Sequence, residues 1–135
     1  MTVFKDQKLF MDVTGQKPSK ETVNLYMRLI HEEFKETQYA WRKWNDDQNS
    51  DKWTAEMVDG AIDLIYVATG MIHALGLDPQ PFWDEVQRSN MSKFDKGPDG
   101  EYIVTRRVDG KILKGPNYFK PDLLRIVYEQ SGARS

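Results

Sequence analysis

Six carboxylates stand at spacings that could hold a hard cation. Glu32, Glu33 and Glu36 fall in one stretch; Glu56, Asp59 and Asp63 fall in another. On an α-helix Glu33 and Glu36 project about 60° apart and Glu32 and Glu36 about 40° apart, while the second trio shares a sector of about 60°. Asp63 runs straight into Leu64-Ile65-Tyr66-Val67-Ala68, and no Lys or Arg occurs between Trp53 and Gln87. An ionised carboxylate in so apolar a helix is costly unless it is paired or coordinates a metal. Two converging sets of oxygen ligands suit Mg²⁺, or Mn²⁺ in its place, with sites left for water and phosphate oxygens. That is the chemistry of polyphosphate hydrolysis.

Elements must present those carboxylates, and the periodicity supplies them. Residues 3–12 predict a short amphipathic helix, ended by Gly15 and Pro18. Ser19 is an N-cap for a long helix to about Trp44, with a seam of Val23, Met27, Ile30, Phe34, Thr37, Trp41 and Trp44 spaced four and three apart. After the Asx-rich turn Asn45–Asp51, a second long helix runs from about Lys52 to Leu75. It is apolar almost all round beyond Ala61, so it is expected to be the central helix. Asp78-Pro79 opens a third, to about Lys93. Tyr102–Thr105 and Lys111–Leu113 read as a small hairpin between glycines, and Pro121 opens a last helix to about Gln130. The expected fold class is all-α: one helical-bundle domain over 1–135, with a core at about 19–94 and a hairpin tail at 95–135. The apolar surface exceeds what 135 residues bury alone, so a homodimer, or a dimer of dimers, is expected.

Composition narrows the classes. No cysteine is present and only two histidines, His31 and His73, which excludes thiolate chemistry and a histidine-rich metal site. No uninterrupted apolar run spans a bilayer and the N-terminus lacks a signal-peptide pattern, so a cytoplasmic protein without a membrane partner is expected. The net charge of −2 is split between an acidic body and a basic stretch from Arg88 to Arg125. An acidic body repels nucleic acid, whereas a small anion bridged by metal suits both halves.

The motifs resemble those of the all-α nucleoside-triphosphate pyrophosphohydrolases, the MazG-like superfamily that includes dimeric dUTPases and phosphoribosyl-ATP pyrophosphohydrolase. Glu32-Glu33-Phe34-Lys35-Glu36 resembles its E-E-x-x-E motif, and Asp63-Leu64-Ile65-Tyr66-Val67 the end of its E-x-x-D motif. Asn90-Met91-Ser92-Lys93 resembles its N-x-x-K helix end, and Gly110–Pro116 followed by Pro121-Asp122 resembles the tail of a bacterial and phage subgroup. The resemblance implies that Glu33, Glu36 and Asp63 are metal ligands and Glu32 a ligand or water-orienting base. It implies that Asn90 and Lys93 contact substrate and that Tyr66 lines the nucleoside pocket. Gly60 stands where the E-x-x-D glutamate belongs, leaving Asp59 or Glu56 to supply that carboxylate, with Asp59 preferred. Gln87 stands where relatives often have histidine.

The implied reaction is Mg²⁺-dependent attack of water on the α-phosphorus of a nucleoside triphosphate, giving monophosphate and pyrophosphate. A glutamate of the 32/33/36 group would take the proton, and Lys93, with Arg88 or a tail lysine, would stabilise the leaving group. Trp41, Trp44, Trp53 and Tyr66 are candidates for stacking on a base, although for each Trp ordinary core packing is the stronger reading. A non-catalytic nucleotide-binding relative is the alternative. A di-iron bundle is excluded, because Gly70 and Arg28 stand where its Glu-x-x-His glutamates would be.

Overall fold

The computed structural model describes residues 2–132. It is all-α, with five helices and one two-stranded ribbon: α1 Val3–Thr14, α2 Lys20–Asp46, α3 Asp51–Ala74, α4 Pro79–Met91, β1 Asp95–Lys96, β2 Tyr102–Ile103 and α5 Leu123–Ser131. The chain divides into two compact units, one ending at Pro79 and the other beginning at Gln80.

Local chemistry sets the helix ends of the first unit. Thr2, Ser19 and Ser50 each accept a hydrogen bond from the backbone N–H three residues on, satisfying donors that the first helical turn leaves free. Gly15 ends α1 at a φ of +72°, a left-handed conformation that suits a residue without a side chain. The turn between α2 and α3 is short, so the two helices lie antiparallel.

Two glycines on α3 bring these helices close. A Cβ on Gly60 would meet Thr37 Oγ1 at 2.2 Å, and one on Gly70 would meet the Tyr26 ring at 2.0 Å. The face of α2 turned to α3 therefore runs through Val23, Tyr26, Ile30, Glu33, Thr37 and Ala40, with Tyr26 and Ala40 buried. This corrects the expected seam: Met27, Phe34 and Trp41 are 55%, 54% and 50% exposed. The bulkiest apolar residues marked the wrong ridge because the glycines select the side chains that fit between the helices. The core consists of Met11, Tyr26, Val67 and Ala74, with Ile30 and Met71 against it.

The apolar α3 is less covered than expected. Val58, Ile62 and Ile65 are half exposed, because α1 and α2 shield only part of its circumference. By length and composition alone α3 could also cross a membrane, but its tight packing on α2 and its four carboxylates are those of a core hairpin helix.

In the second unit the expected ribbon is rearranged. Tyr102–Ile103 pairs antiparallel with Asp95–Lys96. The expected partner segment at 111–113 meets only the end of its expected strand and the residues after it, through a bridge between Arg106 and Ile112 and through Leu113 N donating to Thr105 O and Arg107 N to Lys111 O, both at 2.8 Å. Three buried or half-buried polar groups of α4 and its end fasten the tail. Ser89 Oγ donates to Phe119 O, Ser92 Oγ accepts from Phe119 N, and Glu85 accepts from Asp122 N at 2.7 Å.

Candidate active site

The shift of the α2 ridge by one residue has a chemical result: it places Glu33 among the side chains that face α3. Thr37, one turn later, donates from Oγ1 to the Glu33 carbonyl at 2.6 Å, and Gly60 leaves the room for it. Glu33 is half-buried, and its Oε2 is fully buried with no hydrogen-bond partner. The groups that meet it are the carboxylates of Asp63, on α3, and Glu36, one turn along α2. Both are acceptors unless one of the three carries a proton. Burial, and then the negative charges of Asp63 and Glu36, raise the Glu33 pKa to about 7, and shared hydrogen bonds within the trio add to the rise. No cation reaches them: every ion pair among the described residues lies elsewhere.

Beside the trio a cleft of about 500 Å³ opens between α2 and α3. Glu36 and Glu56 line it, together with Lys35, Lys52, Tyr39 and Trp53. Tyr39 and Trp53 meet edge to face at 5.7 Å, and the Lys52 ammonium lies 4.9 Å from the Trp53 ring. Carboxylates, ammonium groups and an aromatic wall thus share one concave surface, and none of its four charged residues forms an ion pair among the described residues. Asp59 is exposed and outside the residues lining the cleft, and Glu32 is exposed on α2.

Tyr66 lies one turn beyond Asp63 and is half-buried, with Phe10 of α1 edge-on to it at 5.7 Å. Sequence reasoning missed Phe10, since nothing in the residues 3–12 pattern marks which apolar side chain reaches α3. It also missed the cleft lysines, which read as ordinary solvated positions.

The remaining expected residues belong to the second unit. Arg88 is paired with Glu85 at 2.9 Å and lies 4.3 Å over the Phe119 ring, so it holds the tail. The backbone N–H of Asp122 and the Arg88 guanidinium keep the Glu85 carboxyl below its usual range. Asn90 is exposed and Lys93 half-buried, and the Lys93 carbonyl accepts from Gly115 N at 3.0 Å. A Cβ on Gly115 would stand 2.6 Å from that carbonyl.

An antiparallel helical hairpin that gathers carboxylates from both arms beside a charged cleft is the architecture of an all-α pyrophosphohydrolase. The chain belongs to the phosphoribosyl-ATP pyrophosphohydrolase family, whose model matches residues 5–90, and through it to the MazG-like superfamily. Both arms of the hairpin fall within that match. It is accordingly a hydrolase of acid anhydrides. No curated protein matches the chain.

Proposed function

We propose that this protein is a Mg²⁺-dependent nucleoside-triphosphate pyrophosphohydrolase, converting a (d)NTP to the monophosphate and pyrophosphate. The observation that carries the reading is the meeting of Glu33, Glu36 and Asp63 around a buried, unpartnered carboxylate oxygen. Among the described residues no three donors already stand in an assembled metal-binding arrangement. The donor chemistry fits nonetheless: three carboxylates, no nitrogen or sulfur ligand, and an orphaned oxygen that only a proton or a cation can satisfy. Glu33, Glu36 and Asp63 would hold the ion, with Glu56 favoured over Asp59 as the fourth carboxylate because it shares the cleft with Glu36. When bound, Mg²⁺, or Mn²⁺, supplies charge neutralisation at phosphate oxygens and a more acidic water.

The chain's own residues account for the rest. The proton of the attacking water goes to the Glu32/Glu33/Glu36 group; with Glu33 and Glu36 on the ion, Glu32, exposed on α2, is the member left free to take it. The cleft offers Tyr39 and Trp53 to a base, and Tyr66 stands one turn beyond Asp63 as a second aromatic wall. Lys35 and Lys52 offer charge to phosphate oxygens within the first unit. Asn90 and Lys93 remain the proposed contacts to the distal phosphates, while Arg88, already held by Glu85 and Phe119, is a weaker candidate. Exposed Met27, Phe34, Val58, Ile62 and Ile65 support a homodimer, or a dimer of dimers, which light scattering on the purified protein tests directly.

The family match favours a second substrate, phosphoribosyl-ATP, cleaved at the same bond. Pyrophosphate release is measured over a panel of (d)NTPs and phosphoribosyl-ATP, with Mg²⁺ and with EDTA. A (d)NTP as best substrate is expected. Preference for phosphoribosyl-ATP selects the second reading, and release undiminished in EDTA removes the metal.

A further inference from the structure

A chain of buried polar groups runs through the first unit, apart from the carboxylates, and ends at a cavity. Gln7 of α1 has no exposed surface, and Tyr26 and His73 are 2% and 7% exposed. Tyr26 Oη donates to Gln16 Oε1 and accepts from Gln7 Nε2 at 3.1 Å. Gln7 Oε1 therefore turns to His73 Nδ1, 2.6 Å away, and since that oxygen can only accept, Nδ1 carries the proton. Gly70 makes the meeting possible, because a Cβ there would stand 2.6 Å from Gln7 Nε2.

The ring's other nitrogen is the one left for a ligand. His73 lines a cavity of about 380 Å³ whose wall also includes Lys5, Lys8, Leu77 and Asp78. Burial, and then the charge of Lys8, lower the His73 pKa, so the ring is neutral near pH 7 and Nε2 presents a lone pair. The charged groups around it are Lys8 and Asp12 from α1 and Asp78 beyond the end of α3, with Lys5 on the cavity wall. From α2 the approach is through Tyr26 and Gln7.

A lone pair beside the Lys5 ammonium and the Lys8 ammonium, which Asp12 also holds at 2.5 Å, defines an unusual ligand: an anion that still has a proton to give. We propose that this cavity is a second ligand site, for hydrogen phosphate, with its P–OH donating to His73 Nε2 and its other oxygens accepting from Lys5 and Lys8. The His–phosphate pair then holds one proton between Nε2 and the phosphate oxygen wherever that proton resides. The Nδ1–H bond to Gln7 is the same in both forms, so binding leaves the buried chain intact. Sulfate has the same charge near neutral pH and no proton, and is bound poorly.

The two histidines make the test direct, because His31 is exposed on α2 and serves as an internal control. Ring ¹H–¹⁵N spectra of the full chain are recorded in EDTA at pH 7.5, and orthophosphate and sulfate are titrated to millimolar concentrations. The free protein is expected to show the Nδ1–H tautomer at His73. Phosphate should then shift the His73 signals saturably without a parallel shift at His31, at least about tenfold more tightly than sulfate. Lys5→Ala with Lys8→Ala, on the exposed side of α1, should weaken phosphate by a further tenfold or more with the tautomer unchanged. The Nε2–H tautomer, equal response to the two anions, or unchanged binding in the double variant would each overturn the proposal. None of these readouts depends on pyrophosphate release.

Discussion

Replacing Glu33 by Gln should stabilise the metal-free protein while abolishing activity. The Glu33 carboxyl rises from 4.5 to about 7 because it is buried against Asp63 and Glu36. Such a rise corresponds to about 3 kcal/mol of differential free energy at ~1.36 kcal/mol per unit. Solvent screening of a half-buried group reduces this to about 1–2 kcal/mol. The sign follows from proton linkage: between 4.5 and about 7 the folded state binds the proton and the unfolded state does not, so stability falls as pH rises through that window. A glutamine amide in place of the carboxyl does not titrate and loses nothing across it. The variant should match wild type below pH ~4.5 and exceed it above pH ~7 by about 1–2 kcal/mol, or roughly 3–8 °C in melting temperature. Millimolar Mg²⁺ should raise the wild-type melting temperature and affect the variant less, because a cation binding only the folded state adds its binding free energy to stability. Calorimetric melts of both proteins at pH 4.5, 6 and 8, in EDTA and in Mg²⁺, test each step. A variant that melts below wild type at pH 8 in EDTA would show that the carboxylate is a structural partner, and the argument from crowded charges would fail.

Other substitutions separate the remaining roles. Glu36→Gln should abolish pyrophosphate release with helical content unchanged by circular dichroism. Glu56→Gln should lower turnover more than about tenfold and Asp59→Asn far less, since only Glu56 lines the cleft with Glu36; the reverse ranking would restore Asp59 as the fourth ligand. Gly60→Ala should cost about 1–3 kcal/mol in urea unfolding despite the ~1 kcal/mol helix gain, because its Cβ would meet Thr37 Oγ1 at 2.2 Å and the Thr37 Cα at 3.1 Å. Thr37→Ala in that background should recover part of the loss. Lys93→Ala should weaken triphosphate binding about tenfold to a hundredfold by isothermal titration, and monophosphate binding less; equal weakening would move Lys93 away from the distal phosphates.

The sequence made the helices legible because caps, breakers and apolar periodicity are local. Ser19 caps α2 as expected, and Gly15 ends α1. The meeting of Glu33, Glu36 and Asp63 follows the set that the family resemblance implied; spacing alone pointed to six converging carboxylates, of which Glu32, Glu56 and Asp59 stand exposed. What periodicity could not resolve was which of two neighbouring ridges on α2 faces α3. Met27, Phe34 and Trp41 have the greater hydrophobicity, but fit is decided by the partner surface, and Gly60 and Gly70 admit Thr37 and Tyr26. The same limit hid the buried Gln7–His73 bond, whose partners are 66 residues apart. It also hid the Glu85 and Ser89 fastenings, which use side chains that read as ordinary helix surface. The missing motif glutamate at Gly60 looked like a lost ligand; in the structure that position is where the two helices touch.

Those two glycines bracket the chemistry. Gly60 lies about one turn before Asp63 and Gly70 about two turns after it, so the separation of α2 and α3 at the carboxylates is set by positions with no side chain at all. A methyl group at either end would tilt one arm of the hairpin about the other contact and part Asp63 from Glu33 without touching either. Activity should therefore be sensitive to changes that no inspection of the carboxylates would flag. In a drifting lineage, the separation of Glu33 and Asp63 can be retuned by fractions of an ångström through residues two turns away, well before a carboxylate itself is exchanged.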